Sequence, residues 1–133
     1  MPVETSRPGR GRCLTHGIIF EPDPEYRPLL ERALASLYWT VATAESLAEV
    51  TDLLPGPWAA VLAVESGDVA ALETIRELRK LAPATALCVL VDELSPDFDR
   101  QLHVAGVDAV FAKPVQEAEI VEALVSGFMA RRG

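Results

Sequence analysis

Four short apolar runs in this sequence end on residues that can do chemistry. "GIIF" runs into Glu21, Pro22 and Asp23, "AAVLAV" into Glu65, "ALCVLV" into Asp92 and Glu93, and "AVFA" into Lys113 and Pro114. Carboxylates gathered around an ammonium group can hold a divalent cation or neutralise the ammonium as a counter-ion. Which of these follows depends on how many hard oxygens converge. Mg²⁺ wants near-octahedral oxygen ligands, so Glu21 with Asp23 is a thin set, and no metal or cofactor is expected. Other chemistry is scarce. Ser66-Gly67-Asp68 is not a glycine-rich phosphate loop, and no nucleophile stands beside a base. Cys13 and Cys88 have no metal-ligand spacing with His16 or His103. Cys88 reads as a small core filler, and His103 as a surface residue on a helix.

For those run ends to meet, the elements between them must bring them to one edge. From His16 onward the apolar period switches repeatedly between about 2 and about 3.6 residues. "PEYRPLLERALASLYW" places Tyr26, Leu29, Leu30, Ala33, Leu34 and Leu37 on one helical stripe. "TVATA" is a short strand. "SLAEVTDLL" opens with Ser46 and carries Glu49 three residues on, a reciprocal cap, and Pro55-Gly56-Pro57 stops it. Asp68 caps "VAALETIRELRKL", whose Val69, Leu72, Ile75 and Leu78 or Leu81 face inward. "ALCVLV" is apolar throughout, as a strand covered on both faces should be. Ser95-Pro96 begins the next helix and Gly106 ends it; "DAVFA" is the fifth strand, and "EAEIVEALVSGFMARR" closes the chain with arginines at its negative end. Strands alternating with helices in this way imply an α/β fold, a five-stranded parallel sheet with helices on both faces. In such a sheet, ligands gather beyond the carboxyl ends of the strands.

Composition narrows the function classes. The chain has 133 residues, half of them hydrophobic, enough for one ordinary core. No apolar run approaches the roughly 20 residues of a membrane span, so a soluble protein is expected, and two unmatched cysteines favour the cytoplasm. Residues 1–16 read as a flexible leader and 17–133 as the folded domain. The net charge is −8; the leader carries Arg7, Arg10 and Arg12 against Glu4, or +2, which leaves −10 on the domain. A domain that acidic repels phosphate backbones, so no direct nucleic-acid binding is expected.

The order of elements, their spacing and the Lys113-Pro114 pair resemble the receiver domain of two-component response regulators over essentially all of residues 17–131. The resemblance implies the flavodoxin-like (βα)5 fold with strand order 2-1-3-4-5. It also implies an acidic pair for Mg²⁺ after the first strand, a phosphate-accepting Asp at the end of the third, a Ser or Thr after the fourth, and a Lys before a cis-Pro after the fifth. Here Glu21 and Pro22 fall on the acidic pair with Asp23 just after, Ala63 on the phosphoacceptor, Val91 on the Ser/Thr, Val110 on the aromatic switch position, and Lys113-Pro114 on the last pair. Slipping the third strand by two residues would instead put Glu65 on the acceptor position as a permanent carboxylate.

An alanine methyl has no oxygen to attack phosphorus, Pro22 has no carboxylate, and Val91 has no hydroxyl. The expected function is therefore a phosphorylation-independent pseudo-receiver: no enzyme, but an interaction module for another signalling protein or an output domain. In the resembled family the fourth helix, fifth strand and fifth helix form the dimer and output face, which here would involve Arg100, His103, Val110 and Phe111. The alternative is a small-molecule sensor or enzyme that uses the cleft, favoured if Glu21, Asp23 and Lys113 converge around open space and disfavoured if Ala63 and Val91 fill it with carbon. The chain could also be a fragment of a longer regulator.

Overall fold

The computed structural model describes residues 16–132; the expected leader, Cys13 included, lies outside them apart from His16. Ten elements alternate: β1 (Gly17–Phe20), α1 (Arg27–Ala35), β2 (Val41–Thr43), α2 (Leu47–Leu53), β3 (Ala59–Val64), α3 (Val69–Leu81), β4 (Ala86–Val91), α4 (Pro96–Ala105), β5 (Ala109–Ala112) and α5 (Glu117–Arg132). The strands form one parallel sheet in the order β2-β1-β3-β4-β5. This is the expected α/β architecture and strand order. His16, assigned to the leader by the sequence, is tied into the sheet: its carbonyl accepts from Trp58 N at 2.8 Å and its Nδ1 from Thr40 N at 2.9 Å.

Every residue of β3 and β4 is buried, because these central strands carry helices on both faces. Side-chain alternation splits the core in two. Ile19, Val61, Cys88 and Leu90 pack with α1 and α5 through Leu30, Leu34, Ile120 and Leu124. On the other face Leu62, Val89 and Val91 pack with α2, α3 and α4 through Val50, Ile75 and Leu102.

Local signals set most helix ends. Ser46 Oγ accepts from Glu49 N, Asp68 Oδ1 from Ala71 N and Ser95 Oγ from Phe98 N. The return bond of the first cap goes to Glu45 N, one residue before the cap. α1 is shorter than its apolar stripe. Asp23 O accepts from Tyr26 N and Arg27 N in a turn that delays the start, and Tyr38, at φ +60°, turns the chain toward β2. The stripe still faces the core. In α3, Leu72, Ile75 and Leu78 are buried, whereas Val69 and Leu81 sit at the two ends, beyond the sheet's cover, and are exposed.

Cys88 is the expected core filler, and burial, followed by the charge of Asp108, pushes its thiol up to about 12. Above the ordinary thiol value the unfolded chain sheds a proton that the folded chain keeps, so stability falls as pH rises, by up to about 1.4 kcal/mol per pH unit. Urea denaturation between about pH 9 and 11 is expected to show a steeper loss for the wild type than for Cys88→Ala. Equal slopes would mean that the thiol ionises freely in the fold.

Candidate functional site

The carboxyl ends of β1, β3, β4 and β5 open on a cleft of ≈ 550 Å³. Of the residues singled out in the sequence, Glu21, Pro22, Asp23, Ala63, Glu65 and Lys113 all line it. Val91 does not. Strand alternation turns it into the core beneath α3 and α4, where it is fully buried. Its neighbour Asp92 lines the cleft instead, together with Glu45 and Asp68. Asp92 was visible at a strand end. Glu45 and Asp68 gave no signal beyond their place at helix starts, because they reach the cleft through the loops after β2 and β3.

Lys113 Nζ lies 2.7 Å from Glu21 Oε1, with their side chains 17% and 1% exposed. The contact is an ion pair without hydrogen-bond geometry: Glu21 Oε1 is buried and has no hydrogen-bond partner. The other carboxylate oxygen, Oε2, accepts from Asp23 N at 3.2 Å, and the Glu21 carbonyl accepts from Arg27 Nε at 3.1 Å. Tyr26 lies under the ammonium, 4.5 Å from ring centroid to Nζ, a cation–π contact. The Lys113 backbone N–H donates to Val91 O at 2.8 Å, and the Lys113–Pro114 peptide is cis. Lys113 is thus the counter-ion of Glu21, held on one flank by an aromatic face.

The remaining acids are dispersed. Asp23 Oδ1 accepts from Glu25 N at 2.9 Å, Asp68 Oδ1 caps α3, and Asp92 Oδ1 accepts from Ser66 N at 3.3 Å. Among the described residues no group of three His, Cys, Asp or Glu side chains converges as a metal site. With Glu21 committed to Lys113 and Asp23 to its own turn, Mg²⁺ is expected to bind more weakly than about 0.1 mM. Isothermal titration with MgCl₂ checks this, and a tighter site would restore a metal-assisted reaction to consideration.

The expected interaction residues lie on α4 and on the edge strand β5. Arg100 is exposed and pairs with Asp97 at 3.0 Å. His103 Nε2 lies 3.3 Å from Asp99 Oδ1, and its Nδ1 contacts Val107 O at 3.1 Å. Val110 and Phe111, on the edge strand, are half-buried and pack into opposite core layers. Val104 is the large apolar side chain that α4 leaves in solvent, 75% exposed.

Comparison with solved structures bears on the fold. The CheY-like response regulator receiver domain from Methanospirillum hungatei JF-1 superimposes with a TM-score of 0.77 at 18% identity, covering 90% of this chain and 98% of that one. The fold is the receiver fold. A pilus assembly-related protein from Burkholderia pseudomallei K96243 has the same fold, with a TM-score of 0.76, 20% identity and coverage of 89% and 91%. So does the CpaE2 pilus assembly protein from Sinorhizobium meliloti 1021, with a TM-score of 0.70, 20% identity and coverage of 82% and 96%. No family model and no curated protein matches the sequence. No described helix is long and apolar enough to cross a membrane.

Proposed function

We propose that the chain is a phosphorylation-independent pseudo-receiver, a non-enzymatic cytoplasmic module that binds another signalling protein or an output domain. The observation that carries this reading is the composition of the cleft: Ala63 offers it a methyl group, and its ammonium is spent on Glu21. Phosphoryl transfer depends on charge stabilisation around the phosphorus, and a cleft lined by six carboxylates against one lysine repels the incoming group. Val91, buried in carbon, adds no hydroxyl. The partner surface in this reading is α4, β5 and α5, where Arg100, His103, Val110 and Phe111 lie and where a second copy of the chain could also dock.

Two measurements test the proposal. Mass spectrometry after incubation with acetyl phosphate and Mg²⁺ is expected to find no phosphoryl adduct; a stoichiometric adduct ends the pseudo-receiver reading. In a pull-down from the source cell, Arg100→Glu is expected to lose the partner and Glu21→Gln to keep it. The reverse pattern moves binding to the cleft.

A second reading, a small-molecule sensor, has its own observation. Glu21, Asp23 and Lys113 all line the open cleft, and Val91 is not among the residues that fill it. Thermal-shift screening of small polar ligands separates the two: a ligand whose stabilisation disappears in Glu21→Gln supports the sensor.

A further inference from the structure

The end of the sheet opposite the cleft holds a polar cluster whose chemistry the cleft does not use. Arg79, on the last turn of α3, reaches across to the α4–β5 connection: its Nε and Nη2 donate to Gly106 O at 3.0 and 2.7 Å, and Nη2 also meets Asp108 Oδ2 at 3.0 Å. Its Nη1 donates to the carbonyls of Ala82 and Thr85 at 3.0 and 2.7 Å, which ties the same guanidinium to the start of β4. Asp108 is held from two further directions. Its Oδ2 accepts from Leu87 N at 2.9 Å, and its Oδ1 accepts from Arg131 Nη2 at 2.7 Å, near the end of α5. Gly106, at φ +112°, completes the clamp. A Cβ there would come within 2.7 Å of Arg79 Cγ, so the α4 end and the Arg79 stem are packed against each other.

We propose that Arg79, Asp108 and Arg131 form a clamp that presets the α4–β5–α5 surface in a single conformation, so that a partner meets it already formed. A guanidinium planar and forked across several carbonyls fixes orientation as well as distance, which a single ion pair does not. The clamp joins the ends of α3, α4 and α5 to β4 and the start of β5. A shift of α4 or β5 relative to its neighbours must therefore break several charge-assisted bonds at once. A surface that samples one state binds without the loss of affinity that a sparsely populated competent state imposes. The proposal rests on the reading that this surface is the docking face, but the clamp can be tested without any partner.

The experiment is ¹⁵N relaxation dispersion on the full chain, which reads microsecond-to-millisecond exchange residue by residue. In the wild type, flat profiles are expected from Leu102 to Ala112. In Arg79→Met, exchange is expected to appear at Val107, Asp108 and Val110 while Ile18 and Val61 remain flat. Exchange in the wild-type segment, or an Arg79→Met profile that stays flat or broadens evenly over the sheet, overturns the clamp. If Arg79→Met does not fold, Arg131→Gln, which removes only the α5 arm, decides: exchange confined to Asp108 and its neighbours supports the clamp, and flat profiles there overturn it. Arg100→Glu separately tests the docking face, so failure of one reading is distinguishable from failure of the other.

Discussion

Asp108→Ala is expected to destabilise the chain by about 3 kcal/mol and to lower its melting temperature by about 10 °C. The carboxylate is the one negative group between two guanidiniums, with Arg79, Asp108 and Arg131 side chains 15%, 22% and 30% exposed. Burial already pushes the Arg79 guanidinium below its usual value, Arg131 adds to that effect, and Asp108 opposes both. Removing Asp108 therefore leaves a partly buried cation facing a like charge. It also strips the acceptor from Leu87 N, which is buried in β4. A buried donor left unpaired costs about 1–3 kcal/mol by itself. Asp108→Asn, which keeps an acceptor for Leu87 but loses the charge, should fall between the wild type and the alanine variant. Urea and thermal denaturation measure both. A loss below about 1 kcal/mol for the alanine variant would place the cluster among ordinary surface ion pairs.

Ala63→Asp alone is expected to leave the chain without a stable phosphoryl group when it is incubated with acetyl phosphate and Mg²⁺. The new carboxylate would enter a cleft already lined by six acids, at a strand end 8% exposed, and would compete with Glu21 for Lys113. With Mg²⁺ expected to bind weakly, the lysine occupied and no hydroxyl opposite, the transferring group gains a nucleophile without the charge stabilisation that dominates its barrier. The substitution should also cost stability, because desolvation disfavours a carboxylate beside like charges. Intact-mass spectrometry and ³²P incorporation decide. A stable adduct on the variant, absent from the parent, would mean that the cleft retains its catalytic environment and lacks only its nucleophile.

The sequence by itself determined the architecture. Period switching separated strands from helices, because a side chain that must reach the core repeats every second residue in one and every third or fourth in the other. The fully apolar β3 and β4 declared their central place, and right-handed crossovers left little choice but a parallel sheet. Helix caps at Ser46, Asp68 and Ser95 were legible because they are local: the side chain bonds an amide three residues away. The ends of α1 were less legible, since the Asp23 turn and the Tyr38 conformation depend on where β1 and β2 already lie.

The candidate site divides in the same way. Glu21, Asp23 and Lys113 could be placed at one edge from strand ends alone, because parallel strands share a direction; Ala63 was singled out only through the resemblance to receiver domains. Val91 could not be placed from its strand end, because a shift of one residue along a strand exchanges core for mouth and the sequence carries no mark of that parity. The Lys113–Glu21 contact and the Tyr26 ring beneath it join residues 92 and 87 positions apart, and the Arg79–Asp108–Arg131 cluster joins three helix and loop ends. Charges in a sequence rich in Asp, Glu, Lys and Arg have many partners open to them. Only the packed sheet, by bringing particular ends within 3 Å and partly shielding them from water, decided which pairs form.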